Sequence, residues 1–594
     1  MQLSDTSSPV APSLVLLLFL GWSVEARRHV VLFPSSGCYS HDVMMREVGR
    51  EFGSANVSWI QIFMYDFGFG MADIPTEWHR IVLDEADAEG NNLIREGGTL
   101  FWETNIPIDQ DRLWDLRGSL LFYKLLQRNQ RLCSKLLQSA EFQRFKEQNN
   151  ADLVVVDHFI QECFTSLASL LNTTTVQFSN WPIADGYVSA LNLPAPPASV
   201  PKTGTAFSSL RMSFFDRLRN SIFHFLIVTA RSIQTLIVSY FYSSHGYEID
   251  LYDVEAKHLL YAGRSEFFAE PIRPISNRIK HFGCASCRSP ADYRYFFSST
   301  NNSSPGHSIQ YSLNETIVMC SEHVKSKYNK TDMPRMVVRP KQDSLNAVRG
   351  AAESRQRFDR LVAEFPELNF ERLERAPFVL VSFGSVAQLE NMPKPLLSEF
   401  LRRFAELPYT VLWQSNSPAV KIPMNVRIPR NVVLVRWAPI KNLLAHRNLR
   451  FVVCHGGVNT VNELLLFGVP VLGVPLQGDQ SSNLQRLVDF GGALMINMKS
   501  IATGGLRAKL RELEGNYDRY SKRAELFSRM IRFHREFSKG SQNFWLNWAQ
   551  RNGEKLRGRR LMDLKFRGSL EHFAIAECFC ALVSFIFVVR ILSA

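Results

Sequence analysis

The stretch of sequence that decides the fold reads Phe451-Val-Val-Cys-His-Gly-Gly-Val-Asn-Thr-Val-Asn-Glu463. It opens with an apolar, β-branched run, which is followed by paired glycines and then by an amphipathic pattern. A second apolar run, Val471–Val474, comes directly after Gly468-Val-Pro470. This order predicts a buried strand, a tight turn, a helix, and the next strand of the same parallel sheet.

The paired glycines and the residues around them have the chemistry of an anion site. Gly456 and Gly457 lack Cβ atoms, so a phosphate can approach the backbone closely. A helix that begins near Val458 would direct free N–H groups and the positive end of its dipole at that phosphate. The stretch therefore predicts a diphosphate site that needs no metal. Four of its side chains are candidates for contacts to the phosphates or to a ribose: His455, Asn459, Thr460 and Glu463.

Asp479 and Gln480 follow the strand predicted at Val471–Val474. Because the carboxyl ends of parallel strands meet at one edge of a sheet, we expect both side chains near the glycine turn, where they can bind sugar hydroxyls. The alternative is an ordinary strand, turn and helix in which His455 is a structural residue. The convergence of so many polar side chains on strand ends favours a ligand site.

Further apolar β-branched runs occur along the chain, with helical stretches between them. They fall into two groups on either side of a region that begins rich in Ser and Asn. Such alternation predicts an α/β protein with two doubly wound, Rossmann-like domains. We place these at residues 27–284 and 376–535, with a linker that carries an insertion at 285–375. The predicted strands are His29–Phe33, Val57–Phe63, Asp152–Val156, Val379–Ser382, Val432–Val435, Phe451–Val453 and Val471–Val474.

The composition limits the class of protein and of partner. Of the 594 residues, 46% are apolar and 21% are charged, which excludes disordered, collagen-like and coiled-coil chains. The net charge of +12 favours an anionic partner, which could be nucleic acid, a lipid surface or a phosphorylated small molecule. Charge alone does not choose among them.

Both ends of the chain predict a compartment. Ser13–Leu20 is a short apolar run, and the small residues of Val24-Glu-Ala26 suit signal-peptidase cleavage, so we predict a signal peptide at 1–26. Phe573–Leu592 is long and apolar enough for one membrane-spanning helix, predicted at 571–592 and followed by the tail 593–594. A buried amphipathic helix is the alternative, since Glu577 interrupts the run.

This order of segments predicts a single-pass type I membrane protein whose body lies in the lumen of the endoplasmic reticulum. The segment 536–570, predicted to hold C-terminal helices and a basic juxtamembrane stretch, conflicts with the positive-inside rule. We give precedence to the signal peptide because the first targeting element usually dominates. Six Asn-X-Ser/Thr sequons agree with a lumenal location, at Asn56, Asn172, Asn301, Asn302, Asn314 and Asn329.

Ser221–Tyr242 is another apolar stretch, but Arg231 and Gln234 lie at its middle. A helix in the plane of the membrane surface and a core helix of the first domain both fit this pattern. The sequence does not decide between them.

The segment from Phe451 to Gln480 resembles the signature of the UDP-glycosyltransferase family. The animal glucuronosyltransferase branch of that family resembles this chain from signal sequence to terminal span, and we identify the chain with an invertebrate-like member. Upstream, Trp437 in Trp437-Ala-Pro439 resembles the residue that stacks on uracil, and Ser385 in Phe383-Gly-Ser385 resembles the turn that touches the diphosphate.

Two residues depart from the family pattern. Ile440 stands where Gln is usual, and Cys454 stands where Thr or Ser is usual, so two polar contacts to UDP are expected to be weaker. These departures and the large insertion favour a rival hypothesis, a non-catalytic, membrane-tethered subunit that binds a UDP-sugar or a lipophile.

The resemblance implies the GT-B type of fold, in which two Rossmann-like domains face a cleft, together with one C-terminal transmembrane helix. The N-terminal domain would hold a small lipophilic acceptor and the C-terminal domain the UDP-sugar. That sugar is a substrate, so no cofactor and no metal are expected. Glucuronic acid is the expected sugar, with glucose as the alternative. Membrane lipid, and not nucleic acid, is the expected anionic partner. Homo- and hetero-oligomers are both compatible with the resemblance.

Transfer to a hydroxyl also needs a base, for which the first domain offers His41. This residue follows the strand His29–Phe33, and a neutral imidazole can accept a proton near pH 7. Asp157 ends the predicted strand Asp152–Val156, where a carboxylate could orient the ring and stabilise its protonated form. The catalytic His and Asp of the family match these two positions.

One further motif is ambiguous. Cys284-x-x-Cys287 with Cys320-x-x-His323 has a spacing that occurs in zinc sites. In an oxidising lumen, disulfides or unpaired thiols are the favoured interpretation.

Overall fold

The structure is a computed structural model that describes residues 28–35, 37–64, 71, 73–85, 88–157, 162–179, 183, 190, 193–283, 287, 289–293, 356–416, 426–538 and 540–557. The predicted signal peptide, the predicted transmembrane helix, most of the insertion and four of the six sequons lie outside these residues. The other two sequons, Asn56 and Asn172, are exposed.

Seven parallel strands form the first sheet, in the order β3-β2-β1-β4-β5-β6-β7. The strands alternate in the chain with helices α1 to α8, so the parallel connections cross over the faces of the sheet. The strands are β1 His29–Phe33, β2 Asn56–Phe63, β3 His79–Asp84, β4 Leu153–Asp157, β5 Thr175–Ser179, β6 Leu260–Gly263 and β7 Ile279–His281. The helices are α1 Tyr39–Arg50, α2 Ala88–Leu100, α3 Arg117–Gln138, α4 Ala140–Glu147, α5 Glu162–Leu170, α6 Phe214–Ser244, α7 Leu251–Ala256 and α8 Pro290–Tyr293.

Six parallel strands form the second sheet, in the order β10-β9-β8-β11-β12-β13. The strands are β8 Phe378–Ser382, β9 Thr410–Gln414, β10 Val432–Val435, β11 Leu449–Cys454, β12 Val471–Gly473 and β13 Ala493–Met495. The helices of this half are α9 Phe370–Arg375, α10 Lys394–Ala405, α11 Ile440–Leu444, α12 Val458–Phe467, α13 Gln480–Asp489, α14 Met498–Ala502, α15 Gly505–Gly515, α16 Tyr517–Ser538 and α17 Ser541–Arg557.

Helices cover both faces of each sheet, which explains why the strands are almost continuously apolar. In β1, Val31 and Phe33 join one buried cluster, whereas Val30 and Leu32 join the cluster on the opposite face. Val379 and Leu380 divide in the same way in the second sheet. All seven predicted strands are present, and the prediction of two doubly wound domains is confirmed.

The strand order reverses once in each sheet, between β1 and β4 and between β8 and β11. Chains that leave the carboxyl ends of two such strands diverge to opposite faces, which opens a crevice where ligands bind. The residues that follow β1, β4, β8 and β11 therefore have the positions required for a site. Those residues include His41, Ser385 and His455, and Asp157 is the last residue of β4.

The last described helix, α17, returns to the first domain. Leu546 and Ala549 are buried among residues of the first sheet. Lys280 lies over the ring of Trp545, with its Nζ 3.8 Å from the ring centroid. The side chain of Asn543 donates to the backbone carbonyl of Glu51 at 2.8 Å. The chain thus crosses between the domains twice.

Helix α6 contains the ambiguous stretch Ser221–Tyr242. Among the described residues it is the one helix long and apolar enough to cross a membrane, although a third of its most apolar window is buried inside the protein. Arg231 in this helix pairs with Glu255 of α7, and both side chains are buried. The inner face of α6 is therefore part of the first domain.

Candidate active site

His41 lies in the first turn of α1, next to the carboxyl end of β4. Its Nδ1 is 2.8 Å from Oδ2 of Asp157, and both side chains are buried. Asp157 reaches this position because β1 and β4 are hydrogen-bonded neighbours in the sheet. The structure therefore brings the predicted pair together.

A second carboxyl group beside this pair was not predicted from the sequence. Asp42 is buried, accepts a 2.6 Å hydrogen bond from the Ser35 hydroxyl, and accepts a second at 3.0 Å from the Gln61 amide. Burial raises the pKa of Asp42 to about 7, and the charge of Asp157 acts in the same direction. The signal was present in the sequence, since Asp42 directly follows His41, but a carboxylate in the first turn of a helix is usually a solvated residue.

The glycine turn positions His455. Gly384 has a φ of +78°, and a Cβ atom there would lie 2.5 Å from Nε2 of His455. A Cβ atom on Gly457 would lie 2.7 Å from the same nitrogen. Two turns from different strands thus enclose one edge of the ring, and neither can accept a side chain. Burial lowers the pKa of His455 to about 4, so the ring is neutral at pH 7 and donates one N–H.

Helix α12 begins at Val458 with Gly457 as its N-cap, as predicted, and its first turn carries Asn459 and Thr460. The side-chain carbonyl oxygen of Asn459 accepts a 3.4 Å hydrogen bond from Arg264, which lies just beyond β6 in the first domain. Glu463 lies one turn further along α12, 3.7 Å from Nζ of Lys441. Burial raises the pKa of Glu463, although Lys441 and Arg264 act against this.

Asp479 and Gln480 lie beyond β12 at the start of α13. Gln480 uses its side-chain carbonyl to accept from the backbone N–H groups of Leu476 and Gln477, at 2.9 and 3.0 Å, and so fixes the loop that precedes the helix. Burial raises the pKa of Asp479 to about 6, although Asn483, Arg486 and His41 favour its charged form. Asp479 and His41 line the same cavity from the two domains.

Asn483 is a positioning residue that the sequence analysis missed. Its amide nitrogen donates to Asp479 at 2.6 Å and to the Gly456 backbone carbonyl at 3.1 Å, so one side chain links the Asp479 carboxylate to the glycine turn. Arg486 donates to the side-chain carbonyl oxygen of Asn483 at 3.4 Å and to the carboxylate of Glu270, in the first domain, at 3.1 Å. The spacing from Asp479 to Asn483 is one helical turn, which was the available signal.

The two residues that depart from the family pattern, Cys454 and Ile440, lie in different parts of the second domain. Cys454 is a free, fully buried cysteine that packs in the core of the second domain, and burial raises its pKa to about 12. Its thiol thus belongs to the core and is unionised. Ile440 is the first residue of α11. Trp437 lies three residues before it, and its ring is 6.5 Å from that of Tyr39 in the first domain, in an edge-to-face arrangement.

One cavity of about 220 Å³ lies between the domains and connects most of these residues. Apolar side chains of α2 and α3 form part of its wall, among them Leu93, Leu121, Phe122 and Leu125. Trp437 and Glu463 are not among its lining residues. The predicted site residues that line it are His41, Ser385, His455, Gly457, Asn459, Thr460, Asp479 and Gln480.

The described residues contain no group of three or more His, Cys, Asp or Glu side chains that could hold a metal ion. Of the four residues with zinc-like spacing, Cys287 is the one described, and it is disulfide-bonded. A second disulfide joins Cys133 of α3 to Cys163 of α5. The pairing of Cys287 in a disulfide argues against a role as a zinc ligand.

A histidine held by a carboxylate on one domain faces a glycine turn and a helix N-terminus on the other, an arrangement that suits group transfer from a phosphorylated donor. Residues 107–328 and 372–557 match the sequence profile of the UDP-glucoronosyl and UDP-glucosyl transferase family. The match covers more than half of the chain. The protein therefore belongs to the UDP-glycosyltransferase family.

Individual relatives agree with this assignment. The chain is 34% identical over 151 residues to the ecdysteroid UDP-glucosyltransferase of Lacanobia oleracea granulosis virus, covering 25% of this chain and 32% of that protein. It is 24% identical over 389 residues to UDP-glucuronosyltransferase 1A1 of Mus musculus, covering 65% and 57%.

A solved UDP-glucosyltransferase from Polygonum tinctorium superposes with a TM-score of 0.48 at 14% identity, over 89% of this chain and 99% of that one. The chain matches about a third of the length of the ecdysteroid UDP-glucosyltransferase and of UDP-glucuronosyltransferase 3A1 of Bos taurus.

Proposed function

We propose that this protein is an inverting glycosyltransferase that moves glucuronic acid from UDP-glucuronic acid to a hydroxyl or amine of a small lipophilic acceptor. The observation that carries the proposal is the cavity shared by the two domains. The His41–Asp157 pair, the N-terminus of α12 and the apolar side chains of α3 all meet there. No one of these groups would suffice alone, but together they supply a base, a leaving-group site and an acceptor wall.

The geometry suggests how the reaction proceeds. Nδ1 of His41 is held by Asp157, so Nε2 takes the proton of the acceptor hydroxyl while its oxygen bonds to the anomeric carbon. The bond from that carbon to the diphosphate oxygen breaks, and UDP leaves with the electron pair. Asp157 stabilises the imidazolium that forms, and the free N–H groups of α12 stabilise the charge on the diphosphate. Attack from the face opposite UDP inverts the anomeric centre.

The charge at the donor end supports glucuronic acid as the sugar. Arg264 is buried and touches Asn459, which lines the cavity, so a guanidinium lies close to the site of the sugar. Burial lowers the pKa of Arg264, although Glu463 and Glu47 act against this shift. A carboxylate on the sugar would add the negative charge that such a group prefers.

Glucose is the alternative sugar, because UDP-glucosyltransferases are among the similar proteins. Asp479 and Gln480 can bind the hydroxyls of either sugar. A non-catalytic partner subunit is the more distant alternative. The short contact between His41 and Asp157 is evidence against it, since a subunit that performs no chemistry has no need for such a pair.

We also propose that the body of the protein lies in the lumen of the endoplasmic reticulum, anchored by residues 571–592. The disulfide between Cys133 and Cys163 supports this location, because such bonds persist in oxidising compartments. Asn56 and Asn172 are exposed, as acceptors of a glycan must be.

The test uses the full chain in membrane fractions, with UDP release measured for UDP-glucuronic acid and for UDP-glucose against a panel of phenols. We expect faster turnover with UDP-glucuronic acid. The variant Arg264→Gln should raise the KM for UDP-glucuronic acid and leave the KM for UDP-glucose nearly unchanged. Equal turnover of both donors, with no difference between their responses to the variant, would reject glucuronic acid as the preferred sugar. If the natural protein released no UDP with either donor, the hypothesis of a non-catalytic partner subunit would be favoured.

A further inference from the structure

One segment of the first domain, residues 98–107, contacts the second domain at two places, and we call it the bridge. It comprises the last turn of α2 and the start of the loop that follows. Trp102 lies near its centre, with 2% of its side chain exposed. Among the described residues, the buried cluster that Trp102 joins consists otherwise of residues of the second domain. A ring of the first domain therefore completes the core of the second.

The first place of contact is the loop 383–391, which includes the turn predicted to touch the diphosphate. The indole N–H of Trp102 donates to the backbone carbonyl of Gln388 at 3.3 Å. The ring of Trp102 also packs edge-to-face on that of Phe383, with 5.2 Å between the ring centroids. Phe383 directly precedes the turn at residues 384–385. A residue of the first domain thus helps to set the position of this turn.

Gly98 brings the end of α2 into close contact with the same loop. A Cβ atom on Gly98 would lie 2.5 Å from Nδ2 and 2.9 Å from Cγ of Asn391, but 3.4 Å from its Cβ. Nδ2 of Asn391 in turn donates to the side-chain carbonyl of Gln388 at 3.1 Å. The domains are therefore packed here with no room for one methyl group. Neither Gly98 nor Asn391 lines the cavity, so a substitution at this contact changes no group inside it.

The second place of contact is the loop 476–480, which contains Asp479. The backbone N–H of Gly478 donates to the backbone carbonyl of Ile106 at 2.9 Å. The side chain of Ile106 lines the cavity, as does that of Phe101, the residue before Trp102. The bridge therefore forms part of the proposed acceptor wall and also contacts both loops at the donor end.

We infer that the bridge, with Trp102 as its main positioning residue, holds the loops 383–391 and 476–480 in place beside the acceptor wall, so that an acceptor in the cavity tightens binding of the donor. An acceptor that packs on Phe101 and Ile106 restrains the bridge, and the bridge restrains both loops. By linkage, the donor tightens binding of the acceptor by the same factor. The inference rests on the proposed function, because it takes these loops to bind a UDP-sugar.

The positioning role is tested with the full chain by calorimetric titration with UDP. Gly98→Ala should weaken UDP binding severalfold, because the new methyl group forces the bridge away from Asn391. The double variant Gly98→Ala/Asn391→Ala lacks the two atoms at 2.5 and 2.9 Å and keeps the ordinary contact at 3.4 Å. It should therefore bind UDP as tightly as Asn391→Ala alone. Gly515→Ala is the matched control, since its new Cβ atom meets nothing within 4 Å.

The coupling is measured as the ratio of the UDP dissociation constants without and with saturating 1-naphthol, a planar apolar phenol. We expect a ratio of about five or more in the natural protein, the lower end of the usual range for coupled sites. Trp102→Phe keeps an aromatic ring but loses the N–H bond to Gln388, so the ratio should fall close to one. Trp78→Phe is the control, because Trp78 is buried in a cluster of the first domain and should affect stability without changing the ratio.

Unchanged UDP affinity in Gly98→Ala would overturn the positioning role, and a ratio of one in the natural protein would overturn the coupling. Equal ratios in Trp102→Phe and Trp78→Phe would assign Trp102 to stability alone. Each of these results would leave the proposed transfer from a UDP-sugar standing. If the natural protein bound no UDP, the proposed function would fail, and the inference with it.

Discussion

At the scale of single residues, the proposed chemistry depends on an imidazole that is fixed by a carboxylate. Asp157 fixes Nδ1 of His41, and Asp479 lines the same cavity from the other domain. Both domains thus contribute side chains to the surroundings of the proposed base. His455, by contrast, is enclosed by glycines and kept neutral by burial, which suits a donor of one hydrogen bond and not a base.

Replacing His41 should separate chemistry from binding. His41→Ala removes the proton acceptor and leaves the turn at Gly456 intact, so turnover of a neutral alcohol should fall by about 10²-fold or more with little change in donor affinity. Asp157→Asn should cause a loss of similar order that does not add to the first, since the two residues act as a unit. Steady-state kinetics with calorimetric binding of UDP measures both quantities.

A phenol that is already ionised at the assay pH supplies the internal control for this prediction, because it needs no base and should be affected least. Near-full activity of His41→Ala on a neutral alcohol would exclude His41 as the base.

Asp479 should make donor binding depend on pH. Its pKa is raised to about 6 by burial, and the charged form is the better acceptor for sugar hydroxyls, so the KM for the donor should rise as the pH falls from 7 to 5. Asp479→Asn should bind more weakly at pH 7 but lose this dependence. A variant whose KM keeps the same pH profile would show that another group is responsible.

The same shift has a consequence for stability with a definite sign. An unfolded aspartate has a pKa of about 3.9, so raising it in the folded state favours the protonated form and lowers the free energy of unfolding as the pH rises from about 4 to 6. Asp479→Asn should therefore gain stability relative to the natural protein at pH 7 and not at pH 4. Urea denaturation at the two pH values measures the difference.

The sequence predicted the glycine turn and Asp157 because they directly follow apolar runs, and it predicted His41 because this residue lies between a predicted strand and the helix after it. It did not predict the roles of Asp42, Asn483 or Arg264. Their importance comes from which strand or helix lies beside them, and the order of strands is a property of the sheet. Local sequence shows that a side chain is polar, but only the packed structure shows that it is buried.

At the scale of elements, two turns from β8 and β11 together shape the space around one ring. The addition of a single methyl group at one of these turns is therefore an informative substitution. Gly457→Ala would place a Cβ atom 2.7 Å from Nε2 of His455, so the ring must move away from its position above α12. We expect donor affinity to fall by about 1.5 to 3 kcal/mol, as for the loss of a hydrogen bond to a charged group. Calorimetric titration with UDP measures this change.

Gly515, the last residue of α15, is the matched control for that substitution. A Cβ atom there meets nothing within 4 Å, so Gly515→Ala should leave UDP affinity unchanged. If Gly457→Ala bound UDP as tightly as this control, the enclosure of His455 would have no role in binding.

Strands and helices differed in how well the sequence predicted them. β1 and β10 were predicted at their observed bounds, since a Val-rich apolar run has few other interpretations. Six strands were missed. β6, β7 and β13 are only three or four residues long and lack such a run, and β3, β5 and β9 include polar residues, so neither set stands out from loops or helix ends. α1 was expected from Asp42 and begins at Tyr39, because no side chain caps its N-terminus to mark the start.

At the scale of the whole molecule, the domains are joined by a buried ion pair that continues into the site. Glu270 binds Arg486, which contacts Asn483, and Asn483 holds Asp479. Arg486→Met would leave Glu270 buried without its partner, at a cost of about 3 to 5 kcal/mol in the free energy of unfolding. Because Asn483 would also lose a contact, the KM for the donor should rise.

Arg532→Met offers a control of the same chemistry, since Arg532 pairs with Glu525 on the exposed surface of α16. Exposed pairs contribute about 0 to 1 kcal/mol, so this variant should change neither quantity much. Equal effects of the two substitutions, in denaturation and in donor KM, would show that the pair at the domain boundary has no special role.

The return of α17 to the first domain determines how the second domain is attached. The described chain starts at residue 28 and ends at residue 557, and both ends belong to the same half. The second domain is therefore inserted between two segments of the first. If residues 571–592 fasten the chain to a membrane, the anchor follows the first domain in sequence, and the second domain is connected to the membrane through it.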